Sequence, residues 1–166
     1  MNIEIRLIND NEFNEALMLI EKTFNKFVAP YYTEEGLLCF KENYFNYNEM
    51  LRKFKNGKWE FIGAFDKEKL VGILTGKKNY IEMFFIDENY QHCGIGKKLF
   101  DNYISTKEEN VGLYSAHDAV QFYEKLGFEK LENERSENGM LTTPMIYKTK
   151  EMKNNHDESL KNVNSI

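Results

Sequence analysis

Ile81-Glu82-Met83-Phe84-Phe85-Ile86-Asp87-Glu88-Asn89-Tyr90-Gln91-His92-Cys93-Gly94-Ile95-Gly96-Lys97-Lys98-Leu99 is the stretch whose reading decides the fold. A dense apolar run, Ile81 to Ile86, enters a polar segment with two glycines. The apolar spacing Ile95, Leu99, Tyr103 follows. The pattern reads as strand, short loop, helix. Glycines at a loop–helix junction let backbone come close to a ligand. The free N–H groups of the first helical turn and the helix dipole favour an anion there. The segment therefore predicts a phosphate cradle.

Upstream, Asn56-Gly57 marks a turn, after which the pattern is of strands. Trp59 to Phe65 and Leu70 to Thr75 are joined as a hairpin by Asp66-Lys67-Glu68-Lys69. Gly76 to Asn79 is a second turn, and Tyr80 to Ile86 completes a meander. Before it, Ile3, Ile5 and Leu7 alternate as a short strand, and Asn9 with Glu12 forms a capping box. Phe13, Leu17, Ile20, Phe24 and Phe27 make the stripe of an amphipathic helix that Pro30 ends. Thr33 caps a second helix carrying Leu37, Leu38 and Phe40. A further helical piece lies around Met50, Leu51 and Phe54, and the element order is written without it.

Downstream, the cradle helix covers about Gly94 to Lys107, and Val111 to Tyr114 is a short strand. Ser115-Ala116-His117-Asp118 reads as a capping box for a helix from Ala119 to Leu126, closed by Gly127. Phe128 to Arg135 and Met140 to Tyr147 form a last hairpin across Ser136 to Gly139. The order is β-α-α-β-β-β-α-β-α-β-β. It predicts an α/β domain over residues 1–148, a single mixed and largely antiparallel sheet flanked by helices, with a polar tail over 149–166.

Composition narrows the function. The 166 residues suit one domain with a real core, at 42% hydrophobic content with 13 Phe and 10 Tyr. A net charge of −5 disfavours nucleic acid as the main partner. Cys39 and Cys93 lack zinc or disulfide spacing, so no metal is expected. No apolar run reaches membrane-spanning length and Met1-Asn2-Ile3-Glu4 does not open a signal peptide, so no membrane partner and a cytoplasmic location are expected.

Two familiar glycine loops fail on mechanism. A Walker A loop would put glycine at Gln91 and a magnesium-binding hydroxyl at Lys98. A dinucleotide fingerprint would put a third glycine at Leu99 and open a βαβ unit, whereas this loop follows a meander.

What remains, Gln-x-x-Gly-x-Gly after a meander, resembles the acetyl-CoA pyrophosphate loop of the GCN5-related N-acetyltransferase (GNAT) superfamily. Phe84 to Gln91 resembles the family's strand and its approach to the loop. Ala119-Val120-Gln121-Phe122-Tyr123-Glu124-Lys125-Leu126-Gly127-Phe128 resembles its second signature, a helix ending in Tyr-x-x-x-Gly-Phe. The element order matches over Ile3 to Lys148. A glycine loop alone is more often a plain turn, and a tyrosine on an apolar helix face is more often core; the two signatures at this spacing argue against both.

The resemblance implies transfer of an acetyl group from acetyl-CoA to a primary amine by direct attack, with no metal. It implies that backbone from Gln91, His92, Cys93, Gly94, Ile95 and Gly96 into Lys97 and Lys98 holds the pyrophosphate. Phe84, Phe85 and Ile86 would pair with the pantetheine arm, in a cleft where this strand and the one at Val111 splay apart. Tyr123 matches the proton donor to the departing thiolate: thiols titrate near ~8.5 and Tyr near ~10, so a phenol can donate at neutral pH without being lost. His92 and Cys93 depart from the basic residues common at those positions, and the family's Asn or Ser near the end of the next strand would fall within Tyr114-Ser115-Ala116. Cys93 can be read as a reactive thiol or as an exposed loop residue used for its backbone, and the second is preferred.

The general base stays open. Glu82 shares a face with Tyr80 and Phe84 if its strand is regular, and His117 lies beside the Tyr123 helix and titrates in a useful range. Tyr31 and Glu35, in the acidic aromatic run Phe27 to Gly36, are candidates to bind the acceptor. The acceptor is a small-molecule amine or a protein amine, with some apolar character expected. A homodimer is common in the family and is left open. The alternatives are an acetyl-CoA sensor without turnover and a module that binds a peptide by strand addition.

Overall fold

The computed structural model describes residues 1–149. The elements are β1 (Ile3–Leu7), α1 (Phe13–Phe27), α2 (Glu34–Asn43), α3 (Tyr47–Lys55), β2 (Trp59–Asp66), β3 (Lys69–Lys77), β4 (Tyr80–Ile86), α4 (Ile95–Ile104), β5 (Val111–Ala116), α5 (Val120–Leu126), β6 (Glu129–Lys130), β7 (Arg135–Glu137) and β8 (Met140–Tyr147). The expected mixed sheet is present, in the order β1-β2-β3-β4-β5-β8-β6, with β7 also on β8. Every pairing is antiparallel except β4 with β5.

Three helices precede the meander where the expected order had two. The Asn46 side chain accepts from the Glu49 N–H at 2.9 Å and starts α3, and Met50 seats it at zero exposure. An N-cap of this kind contributes about 1 kcal/mol.

The expected strand Phe128 to Arg135 is broken into β6 and β7. Leu131 donates to the carbonyl of Pro144 at 2.9 Å. Pro144 has no N–H to return the bond, so the ladder stops and resumes two residues out of register at Arg135↔Thr142. The proposed capping box at Ser115 is also absent: β5 runs on to Ala116, and the Ser115 hydroxyl donates to the Ala116 carbonyl at 2.8 Å.

The sheet is buried on both faces. Phe13, Phe24, Met50, Phe65, Ile73 and Met83 pack on the α1–α3 side. Val71, Leu74, Leu99, Tyr103, Tyr123 and Phe128 pack on the α4–α5 side. Each large apolar side chain so buried contributes about 1.5–3 kcal/mol before the entropy cost. Thr149 is buried and tied back to the loop before β5, its hydroxyl donating to the Glu108 carbonyl at 3.0 Å. The rest of the expected polar tail lies outside the described residues. No helix among the described residues is long and apolar enough to cross a membrane.

One irregularity shapes the site. In the β3–β4 ladder Met83 faces Thr75 but Ile81 faces Gly76, so Glu82 is an extra residue without a partner. Such a bulge bends a strand and re-aims its side chains. Beyond it, β4 leaves β5. The two pair only at Tyr80↔Gly112, where the Gly112 N–H donates to the Asn79 carbonyl at 2.9 Å. They then splay, leaving a V-shaped opening with free backbone groups on the facing strand edges.

Candidate active site

The loop after β4 is fixed before the helix starts. Asp87 is buried, and its carboxylate accepts from the Asn89 N–H at 3.0 Å and from Lys22 of α1 at 3.3 Å. Burial pushes this carboxyl up, but those two bonds outweigh it and hold it below the usual range. Gln91 turns its amide inward to the Ile86 carbonyl at 3.2 Å, clasping loop to strand. Its side chain is therefore used for shape.

His92 and Gly94 both have left-handed backbone, φ 61° and 77°. Backbone that passes through this region turns its N–H groups into anion-binding concavities. Gly94 is the N-cap of α4, and nothing lies within 4 Å of where its Cβ would stand. The N–H groups of Ile95, Gly96 and Lys97 open the helix without intrahelical partners. Lys97 pairs with Asp101 at 2.5 Å along the exposed helix face, and Lys98 and Cys93 are also exposed.

Gly96 has a different reason from Gly94. A Cβ there would stand 2.7 Å from the Phe122 ring, because Phe122 of α5 packs directly on the start of α4. Gly96→Ala is expected to cost about 1–3 kcal/mol in urea unfolding through this overlap. The double variant Gly96→Ala/Phe122→Ala should lose less than the sum of the single losses. Strict additivity would show that Phe122 is not the obstacle.

Phe122 also sets the next layer. Its ring lies edge-on to Phe84 at 5.5 Å and to Tyr123 at 5.2 Å. Tyr123 is buried at 7% exposure, between Phe84 at 6.1 Å and Phe128 at 5.5 Å. Burial pushes its phenol up. Gly127 closes α5 in the left-handed conformation, φ 104°, as its sequence position predicts. Phe84 and Ile86 face α4 and α5, while Phe85 packs into the opposite core.

Across the opening, on the α1–α3 side, lies a cavity of about 270 Å³ lined by Tyr32, Tyr44, Tyr80, Glu82, Tyr114 and Met140, among others. Thr33 and Gly36 close one end against the β7–β8 turn. The Thr33 N–H donates to the Gly139 carbonyl at 3.0 Å, and a Cβ on Gly36 would overlap that carbonyl at 2.1 Å. A second hollow, among Lys58, Lys77 and Lys78, holds none of the motif residues.

Glu82 enters this cavity on the same face as Tyr80. The expectation that it shares a face with Phe84 required a regular strand and does not hold: Glu82 points to the α3 side, Phe84 to the other. There Lys53 of α3, itself 3% exposed, places its Nζ 2.7 Å from both carboxylate oxygens. Burial raises the Glu82 carboxyl, against the pull of Lys53. Nothing in the sequence pattern connected Lys53 to Glu82.

The other candidates sit at the rim. His117 Nδ1 lies 2.6 Å from Glu134 Oε2, and its ring lies 4.5 Å from that of Tyr31. The Tyr31 hydroxyl donates to Asp118 at 2.8 Å. Tyr31 is thus tied to the start of α5, and its neighbour Tyr32 lines the cavity instead. Glu35 is exposed in the first turn of α2 and is not among the lining residues. Among the described residues no His, Cys, Asp and Glu side chains group as metal ligands.

A family model for a GNAT acetyltransferase domain matches residues 28–149. An uncharacterized N-acetyltransferase of Escherichia coli strain K12, YafP, is 22% identical over 136 residues, 82% of this chain and 87% of its own. Among solved structures, the PaiA N-acetyltransferase of Thermoplasma acidophilum, crystallised with coenzyme A, superposes with a TM-score of 0.71 at 23% identity, covering 90% of this chain and all of that one. A GCN5-related N-acetyltransferase of Rhodopseudomonas palustris gives 0.75 at 16% identity, over 90% and 97%. At these identities the superpositions establish the fold.

Proposed function

The chain belongs to the GNAT acetyltransferase family, and from that premise we propose that it moves an acetyl group from acetyl-CoA to a primary amine by direct attack in a ternary complex. The observation that carries this reading is the V-shaped opening between β4 and β5, with the bare start of α4 and Tyr123 on one side and the Glu82 cavity on the other.

The residues fit the co-substrate. The N–H groups that open α4, beside the open space at Gly94, suit a pyrophosphate. The strand edge around Phe84, beyond the Tyr80↔Gly112 pair, suits the amides of a pantetheine arm. Acetyl-CoA supplies the acyl group and a thiol leaving group.

The chain's own residues manage the protons. A primary ammonium must lose one before it attacks, and Glu82 is the acceptor best suited to it: a buried carboxyl whose affinity for protons is raised toward the working pH. The N–C bond forms as the C–S bond breaks, and Tyr123 holds a proton at its hydroxyl for the departing sulfur. His117 sits at the rim and is not among the residues that line the cavity, which leaves it the weaker candidate for base.

Calorimetric titration with acetyl-CoA is expected to show saturable one-site binding. Absence of binding at millimolar ligand would overturn the reading. Amine-dependent thiol release in the same preparation separates transfer from binding alone.

A further inference from the structure

The acceptor cavity has a one-sided chemistry that narrows the amine. Its walls are aromatic and thioether: Tyr32, Tyr44, Tyr80, Tyr114 and Phe40, with Met83 and Met140. Its charged groups are both carboxylates. Glu82 lies deep, its side chain 8% exposed, and Glu137 stands toward solvent with its side chain 61% exposed.

Among the described residues, no lysine, arginine or histidine side chain lines the cavity. The nearest cations are already committed. Lys53 lies behind Glu82, held by both carboxylate oxygens at 2.7 Å and by the Trp59 ring at 4.8 Å. Arg135 is engaged by Glu132 and reaches Glu137 at 3.5 Å. The field inside is therefore negative. Burial, with Cys39 and Glu82 next in effect, raises the Tyr44 phenol, and burial followed by Glu82 raises Tyr80.

Aromatic faces attract an ammonium group, most strongly where the contact is desolvated. A carboxylate or phosphate in the same space would meet two carboxylates and no cationic lining residue, a like-charge juxtaposition that disfavours it.

We propose that the acceptor is a small primary-amine cation with an apolar body and no anionic group, its ammonium directed at Glu82 and its body against the tyrosine walls. This rests on the acetyltransferase reading. It excludes free amino acids and phosphorylated amino sugars as preferred acceptors. Glu137 acts at the mouth as the residue that discriminates against anionic groups.

Phenethylamine and phenylalanine differ by one carboxylate and test the point directly. With acetyl-CoA saturating, kcat/KM should favour phenethylamine by at least about 100-fold. Glu137→Lys, at an exposed position, should narrow that ratio by about tenfold while acetyl-CoA titrates as in the parent. Equal or better turnover of phenylalanine would overturn the inference and leave the acetyltransferase reading standing. So would failure of acetyl-CoA-loaded protein to acetylate either amine. Loss of acetyl-CoA binding itself would bring down both.

Discussion

Replacing Tyr123 by Phe is expected to lower kcat by about 100-fold or more, the ordinary scale for removing a positioned proton donor, while acetyl-CoA still titrates as in the parent. The expectation follows from how the ring is held. Phe84, Phe122 and Phe128 surround it at 5.2–6.1 Å, and those contacts are made by the ring, which the substitution retains. The hydroxyl is what is lost. Because burial raises the phenol above its ordinary value near 10, Tyr123 keeps its proton across the working range. It serves by hydrogen bonding to charge as it develops on sulfur, and no alkaline limb of kcat below about pH 10 should trace to it. The check is kcat at saturating acetyl-CoA beside a calorimetric titration of the same variant. An unchanged kcat would remove Tyr123 from the mechanism. A loss of kcat together with acetyl-CoA affinity would mark a packing role.

The cradle was readable because it is local. Apolar run, two glycines and a helical stripe lie between Ile81 and Tyr103, and each dictates its own backbone; Gly94 and Gly127 take the left-handed conformations their positions call for. What the sequence concealed is non-local or breaks a period. Assigning Glu82 a face by alternation presumes a strand without bulges; one unpaired residue left Glu82 with Tyr80 and turned Phe84 to the other face. Tyr31 and Tyr32 are indistinguishable by composition. A tight turn over Ala29–Tyr31 sends the first to Asp118 and leaves the second, in extended backbone, to the cavity. The cavity tyrosines come from four separate segments, so no window of sequence contains them. Lys53 is one of three cations in the last turn of α3, with nothing local to set it apart. Its burial is decided by a glutamate 29 residues away. That a Cβ at Gly96 would meet Phe122, a residue of another helix, is likewise invisible in any local window of sequence.

The pairing of Lys53 with Glu82 makes the base assignment testable by pH. Glu82→Gln is expected to reduce kcat/KM by about 100-fold or more and to flatten the acid limb of its pH profile. Lys53→Met should act differently. With the ammonium gone, burial is unopposed, so the Glu82 carboxyl rises further. The acid limb should then move to higher pH while the high-pH plateau is largely kept. Stability supplies a second, independent readout. In the Lys53→Met protein the folded-state value of Glu82 lies above its unfolded value, so the folded state favours the neutral carboxyl. The contribution of Glu82 to the variant's stability is therefore fully present below about pH 4, the ordinary glutamate range, and is lost as pH rises through the folded-state value. At pH 7 the deficit against the parent should approach about 3 kcal/mol, the scale of a buried charge deprived of its partner. The double variant Lys53→Met/Glu82→Gln has no such charge and should recover most of that deficit at neutral pH without recovering activity. If instead the acid limb stays in place in Lys53→Met while its stability falls as described, Glu82 is the buried partner of Lys53 and not the base, and the proton must leave the amine by another route.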